Sequence, residues 1–198
     1  MITDINQLDP SRHYTYADYL TWQFNELVEL IRGKVVRMSP APNTSHQACA
    51  GNLHGVIWNF LKKKECQVFI APFDVRLPLP ADQPSDEQVD TIVQPDLCVI
   101  CDLAKLDAKG CQGPPDWIIE ILSESTAHKD LTDKFDLYQQ AGVGEYWVVH
   151  PEEGTVLPYR LSAAGAYELP RPNPYTVGEE VPVHIFPGFT VELAEVFG

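Results

Sequence analysis

The chain has 198 residues, with 14 basic side chains against 28 acidic ones and a formal net charge of −14. Such a length suits a single domain that buries about two-thirds of its unfolded surface without a disulfide or metal staple, and the apolar and aromatic content excludes a disordered chain. The acidic balance argues against coating of DNA or of an anionic membrane through bulk charge, but not against an enzyme that meets nucleic acid locally through metal ions.

The N-terminal stretch MITDINQLDPSRHYTY has no basic region followed by an apolar one, and no apolar run has the length of a membrane span. The five cysteines (Cys49, Cys66, Cys98, Cys101, Cys111) are odd in number and irregularly spaced. That pattern fits a reducing, cytoplasmic setting and buried structural cysteines better than a disulfide framework.

In chain order, Thr15-Tyr16-Ala17-Asp18 resembles a capping box and opens a helix expected to run through about Leu27. VELIRGKVVRMS reads as a hairpin pivoting at Arg32-Gly33, and Pro40 to Asn43 as a turn. Ser45 or Thr44 caps a second helix from His46 to about Lys64, whose residues Leu53, Val56, Ile57, Phe60 and Leu61 recur at helical spacing. QVFIAPFDVRLPL reads as one long strand with Pro72 near its middle, hence at an edge or a bulge. ADQPSDEQVD is a polar, turn-rich loop.

Two buried-looking strands follow, in TIVQPDLCVI and DWIIEIL, separated by a loop holding Gly110, Gly113, Pro114 and Pro115. Cys98 and Cys101 lie in the first, where an offset of three sets the thiols on opposite faces and argues against a zinc or redox pair. Ser125 or Thr126 caps a third helix ending near Ala141, with Gly142 as its stop. EYWVVH is another strand, and the tail from Val156 has short β-prone runs and a last helical turn over 193–197. The economical reading is one α/β (α+β) domain over residues 1–198 with a β-rich C-terminal extension.

Candidate functional residues are charges that break the apolar pattern. Glu120 lies within Trp117-Ile-Ile-Glu-Ile-Leu122, where a carboxylate is costly unless paired or metal-bound. A carboxylate at an exposed strand end, or in a structural ion pair, explains it equally well when it is taken alone. Asp96 starts a second apolar run, and its 24-residue separation from Glu120 allows a strand, a loop and a neighbouring strand. Two such carboxylates suit Mg²⁺ or Mn²⁺, with water completing the shell.

On the third helix, Ala127, Leu131, Phe135 and Tyr138 group on one face, while Asp133, Asp136 and Lys129 point to solvent. Lys134 falls at the margin of that face, either as a snorkelling side chain or as a cation beside the carboxylates. Glu29 lies opposite Val28 and Leu30, which leaves a solvent-facing role in competition with a functional one. For His46, a plain helix-terminal polar group is favoured over a site residue.

Together, Pro95-Asp96 and Glu120-x-Leu122 resemble the PD-(D/E)XK nuclease signature, with Leu122 where a lysine is expected. In some branches of that superfamily the lysine comes from the following helix, where Lys134 lies. VELIRGKVVRMSPAPNTSHQ, APFDVRL, QPDLCVI, DWIIEILSESTAHKDLTDKFDLYQQAGVGEYWVVHPE and FPGFTVELAEVF are similar to the Uma-two family of restriction-endonuclease-like proteins. The resemblance covers nearly the whole chain.

It implies a restriction-endonuclease-like core over about residues 44–150, a central mixed β-sheet flanked by helices, with an N-terminal helix and hairpin added. It further implies Asp96 and Glu120 as metal ligands, Lys134 as the displaced catalytic lysine, Glu29 as the acidic residue of the early hairpin, and His46 and Tyr138 as recurrent positions of open role. The expected function is Mg²⁺- or Mn²⁺-dependent endonucleolytic hydrolysis of phosphodiester bonds, foremost in DNA bound weakly. No membrane partner is expected, and a homodimer would suit cleavage of both strands. The alternative is a catalytically silent nuclease-fold module for binding or regulation, which the missing strand lysine and the acidic surface favour.

Overall fold

The computed structural model describes residues 2–38, 43–78, 85–123 and 130–198. In chain order the elements begin with α1 (Tyr16–Tyr19), β1 (Val28–Ile31), β2 (Lys34–Arg37), α2 (Thr44–Leu61), β3 (Gln67–Ile70), β4 (Val75–Arg76), β5 (Ile92–Val93) and β6 (Leu97–Ile100). Next come β7 (Leu106–Asp107), β8 (Gly110–Gln112), β9 (Trp117–Ile121), a single π turn (Asp130–Lys134), α3 (Phe135–Ala141) and β10 (Glu145–His150). The chain ends with β11 (Thr155–Leu161), β12 (Tyr167–Glu168), β13 (Tyr175–Thr176), β14 (Glu180–Pro182), β15 (Thr190–Glu192) and α4 (Leu193–Phe197).

Two large sheets organise these elements. One runs β2-β1-β5-β4-β8-β7, the other β12-β11-β10-β9-β6-β3 with β13 also on β11, and β14-β15 form a separate pair. In the second sheet β9 and β10 are parallel and β6 is antiparallel to β9, so the sheet is mixed. This is the α+β arrangement expected from the sequence.

One face of this sheet carries Leu97, Val99, Trp117, Ile119, Ile121, Trp147 and Val149, which form one core with Cys49, Ala50, Leu53, Ile57 and Leu61 of α2. The opposite face carries Cys98, Ile118, Tyr146 and Val148, packed with Leu137 and Tyr138 of α3. Cys98 and Cys101 thus face opposite sides, as their spacing requires.

The hairpin turns where its sequence says it should. Arg32 (φ 49°) and Gly33 (φ 75°) both take left-handed backbone, the geometry of a two-residue turn matched to strand twist. A Cβ on Gly33 would meet the His13 ring at 2.3 Å. Gly33→Ala is therefore expected to destabilise the protein by about 1–3 kcal/mol, read as a lower thermal midpoint, and an unchanged melting curve would contradict this.

Several local expectations are corrected. The first helix ends after one turn, at Tyr19 and not near Leu27, although Thr15 N–H does donate to Asp18 Oδ2 (3.1 Å). Thr21 turns its hydroxyl onto the Asp18 carbonyl (2.7 Å), and Trp22 packs against Tyr14 and Tyr19, so side-chain contacts replace further helical turns. The cap of α2 is Asn43, whose Oδ1 accepts from His46 N–H (2.9 Å), in place of Ser45 or Thr44. The stretch expected as one long strand divides at Pro72 into β3, at the edge of one sheet, and β4, inside the other, because proline cannot donate to a ladder. The expected loop before β9 carries the β7–β8 hairpin.

The cysteines also depart from expectation. Gln67 pairs with Ile100, so the next positions outward, Cys66 and Cys101, meet across the strands and form a disulfide. Cys49, Cys98 and Cys111 are buried free thiols. Burial pushes Cys49 up to about 12 and Cys111 up to about 11, so these thiols stay protonated and unreactive near neutrality.

The end of α3 at Ala141, with Gly142 left-handed at φ 84°, the strand Glu145–His150 and the terminal turn Leu193–Phe197 match expectation. The turn proline Pro40 and the proposed caps Ser125 and Thr126 lie outside the described residues, as do Ala127 and Lys129. Among the described residues no helix is long and apolar enough to cross a membrane.

Candidate active site

The segment Gln94-Pro95-Asp96 carries the chain from β5 in one sheet to β6 in the other. Asp96 immediately precedes β6, and the register that pairs Leu97 with Ile119 sets Asp96 across from Glu120 on β9. Asp96 Oδ2 accepts from Ile121 N–H (2.7 Å), the residue following Glu120. Its Oδ1 lies 3.3 Å from His46 Nε2, on the first turn of α2. The backbone bond and the imidazole fix the carboxylate from two sides.

Glu120 is buried within a strand whose every residue is buried. A carboxylate there demands compensation, and the following helix supplies it. Lys134 Nζ donates to Glu120 Oε1 at 2.9 Å and Tyr138 OH donates to the same oxygen at 2.6 Å. Lys134 Nζ also lies 3.0 Å from Glu29 Oε1. Glu29 accepts from Gln94 N–H as well (3.0 Å), which ties it to the same crossover that carries Asp96.

Two expectations about this group are corrected. Glu29 does not face solvent: β1 is buried at Val28, Glu29 and Leu30 alike, because one side packs into the core and the other against Lys134. Nor does Lys134 sit at the margin of its helix face. The buried positions are Lys134, Leu137 and Tyr138, with Phe135 half-buried, so the lysine lies inside the buried stripe. Two carboxylates make that position tolerable for an ammonium, and the π turn ending at Lys134 delivers it there. Asp133 and Asp136 are exposed, as expected.

Tyr138 is fully buried, and burial together with the charges of Glu120 and Glu29 holds its phenol well above the usual range. It therefore remains a neutral donor. His46 is buried against Asp96 and is more than a helix-terminal group.

Three further residues escaped the sequence reading. Gln94 Nε2 donates to Asp74 Oδ1 (2.9 Å) and to Tyr19 OH (3.2 Å), while Tyr19 OH reaches the same Asp74 oxygen (3.3 Å). Burial raises the Asp74 carboxyl above its usual range. The only local signal was a glutamine inside the apolar run Ile92-Val93-Gln94.

The donor chemistry fits a hard divalent cation. Asp96, Glu120 and Glu29 offer oxygen ligands only, and with Lys134 they leave two formal negative charges. Among the described residues no three His, Cys, Asp or Glu side chains gather closely enough to hold an ion unaided. An ion here would keep much of its water, as Mg²⁺ does.

Comparison with known proteins agrees with this architecture. The crystal structure titled as a "putative nuclease belonging to DUF820" from Anabaena variabilis is 22% identical, with a TM-score of 0.66 over 93% of this chain and 97% of that one. That likeness shows a shared fold. A search of the curated proteins found no significant match. The Uma2 family profile, described as "Putative restriction endonuclease", matches residues 16–194. The chain therefore belongs to the Uma2 family.

Proposed function

We propose that the protein is a divalent-metal-dependent endonuclease that hydrolyses phosphodiester bonds, with DNA as its substrate. Family membership supports a nuclease, and one observation carries the finer reading. Leu122, just after β9, stands where the signature lysine is expected, yet Lys134 reaches the Glu120 carboxylate at 2.9 Å from beyond it.

In this reading Asp96 and Glu120 hold the ion. When bound, such an ion stabilises charge on the scissile phosphate and lowers the pKa of the attacking water. Lys134 sits beside Glu120, and from there its ammonium would orient that water or offset charge on the phosphate in the transition state. Attack would form one P–O bond to the water oxygen, whose proton passes to solvent, and break the P–O bond to the sugar oxygen, which leaves as the hydroxyl after taking a proton from solvent. Glu29, 3.0 Å from Lys134 Nζ, shares the ammonium with Glu120 and helps hold it in place. His46 holds Asp96 against the start of β6.

The net charge of −14 leaves no broad basic footprint, so binding to nucleic acid should be weak, metal-dependent and salt-sensitive. Cutting of both strands would favour a twofold pair of copies.

The test is calorimetric titration of the purified protein with Mg²⁺ or Mn²⁺, alongside nicking of supercoiled plasmid with and without a chelator. Metal binding and chelator-sensitive nicking are expected, with a structured RNA in parallel to check the substrate. Neither binding nor nicking would identify a silent binding module, a reading favoured by the commitment of Lys134 to two buried carboxylates.

A further inference from the structure

We infer that Tyr138 is a positioning residue for the proposed reaction, acting through Glu120 by fixing the rotation of its carboxylate toward the metal; this rests on the reading of Glu120 as a ligand. Two donors converge on one oxygen of that carboxylate, Tyr138 OH at 2.6 Å and Lys134 Nζ at 2.9 Å. They stand four residues apart on one helical face and differ in stiffness. Lysine carries its ammonium on a flexible four-carbon stem, and here that ammonium is shared with Glu29 at 3.0 Å. Tyrosine has a rigid ring, fully buried and held edge-on by Tyr146 at 5.2 Å between centroids. Of these two described donors the phenol is the stiffer constraint on Glu120 Oε1, whereas the ammonium can follow either carboxylate. Hydrogen bonds that orient a ligand's second atom commonly set metal affinity by about 10- to 100-fold.

The variant that isolates this role is Tyr138→Phe, which keeps the ring and its contact with Tyr146 and removes only the hydroxyl. Leu137→Ala is its companion, because Leu137 is buried in the same core and makes no hydrogen bond to Glu120. Mn²⁺ titration of the full chain, followed by calorimetry, gives the dissociation constant without reference to cleavage. Tyr138→Phe is expected to weaken Mn²⁺ binding about 10- to 100-fold and to lower nicking at limiting metal. Saturating metal should restore the rate, with the KM for DNA unchanged. Leu137→Ala should lower the melting temperature and leave Mn²⁺ affinity as in the wild type.

Equal Mn²⁺ affinity in wild type and Tyr138→Phe overturns the inference while the nuclease reading stands. A loss in Leu137→Ala as large as in Tyr138→Phe also overturns it, since the effect would then be general loosening of the core. Failure of the wild type to bind Mn²⁺ at all removes the ligand role of Glu120 and the inference with it.

Discussion

Replacing Lys134 with Met is expected to destabilise the protein by about 3–5 kcal/mol, the cost typical of removing one partner from a buried charge cluster. Glu29 and Glu120 are almost fully buried and both lie against the Lys134 ammonium, at 3.0 and 2.9 Å. Met matches the stem in length and packs acceptably, so the loss comes from taking the Lys134 charge away from two buried carboxylates, not from a cavity. The measurement is the denaturant midpoint at constant m value. A double variant separates charge from packing: adding Glu29→Gln to Lys134→Met removes one of the stranded charges and should recover part of the stability. A Lys134→Met loss below about 1 kcal/mol would mean that water or the remaining hydrogen bonds already solvate the two carboxylates, and the cluster would not have the electrostatic character assigned to it.

What could be read from the sequence was what local chemistry decides. Arg32-Gly33 turns because two left-handed positions are needed there, and Gly142 ends α3 for the same reason. Glu120 stood out because an ionised side chain in an apolar strand must have a partner, and that partner is Lys134 together with Tyr138. What could not be read depends on which strands lie side by side. Cys66 and Cys101 are joined only because β3 pairs with β6. Pro72 was seen, but not that the chain leaves one sheet for the other around it. Asp74, Gln94 and Tyr19 form one hydrogen-bonded group across 75 residues of sequence, and apart from Gln94 beside Ile92 and Val93 none is unusual in its own segment. The placement of Lys134 inside the buried stripe follows from the π turn and from two carboxylates on different sheets, so a helical wheel drawn on the helix alone puts it too near the edge.

The proposed chemistry makes an opposite demand on the ligand pair, with activity lost while the fold stays. Asp96→Asn keeps an oxygen able to accept from Ile121 N–H, and Glu120→Gln keeps one able to accept from both Lys134 and Tyr138. Each variant removes a formal charge without removing shape, and in Glu120→Gln the Lys134 ammonium retains Glu29 as its partner. Both should fold with stabilities within about 1–2 kcal/mol of the wild type, as expected for loss of one charged acceptor where a neutral one takes over. Cleavage should nevertheless fall by at least about 10²- to 10³-fold, the scale of losing one preorganised electrostatic group at a transition state. The contrast with Lys134→Met is the informative part. A protein that uses these charges only to hold itself together would show its largest defect in stability for all three variants. A nuclease would show intact folding and lost nicking for Asp96→Asn and Glu120→Gln. Wild-type nicking by either ligand variant would refute their assignment as metal ligands, whatever the behaviour of Lys134.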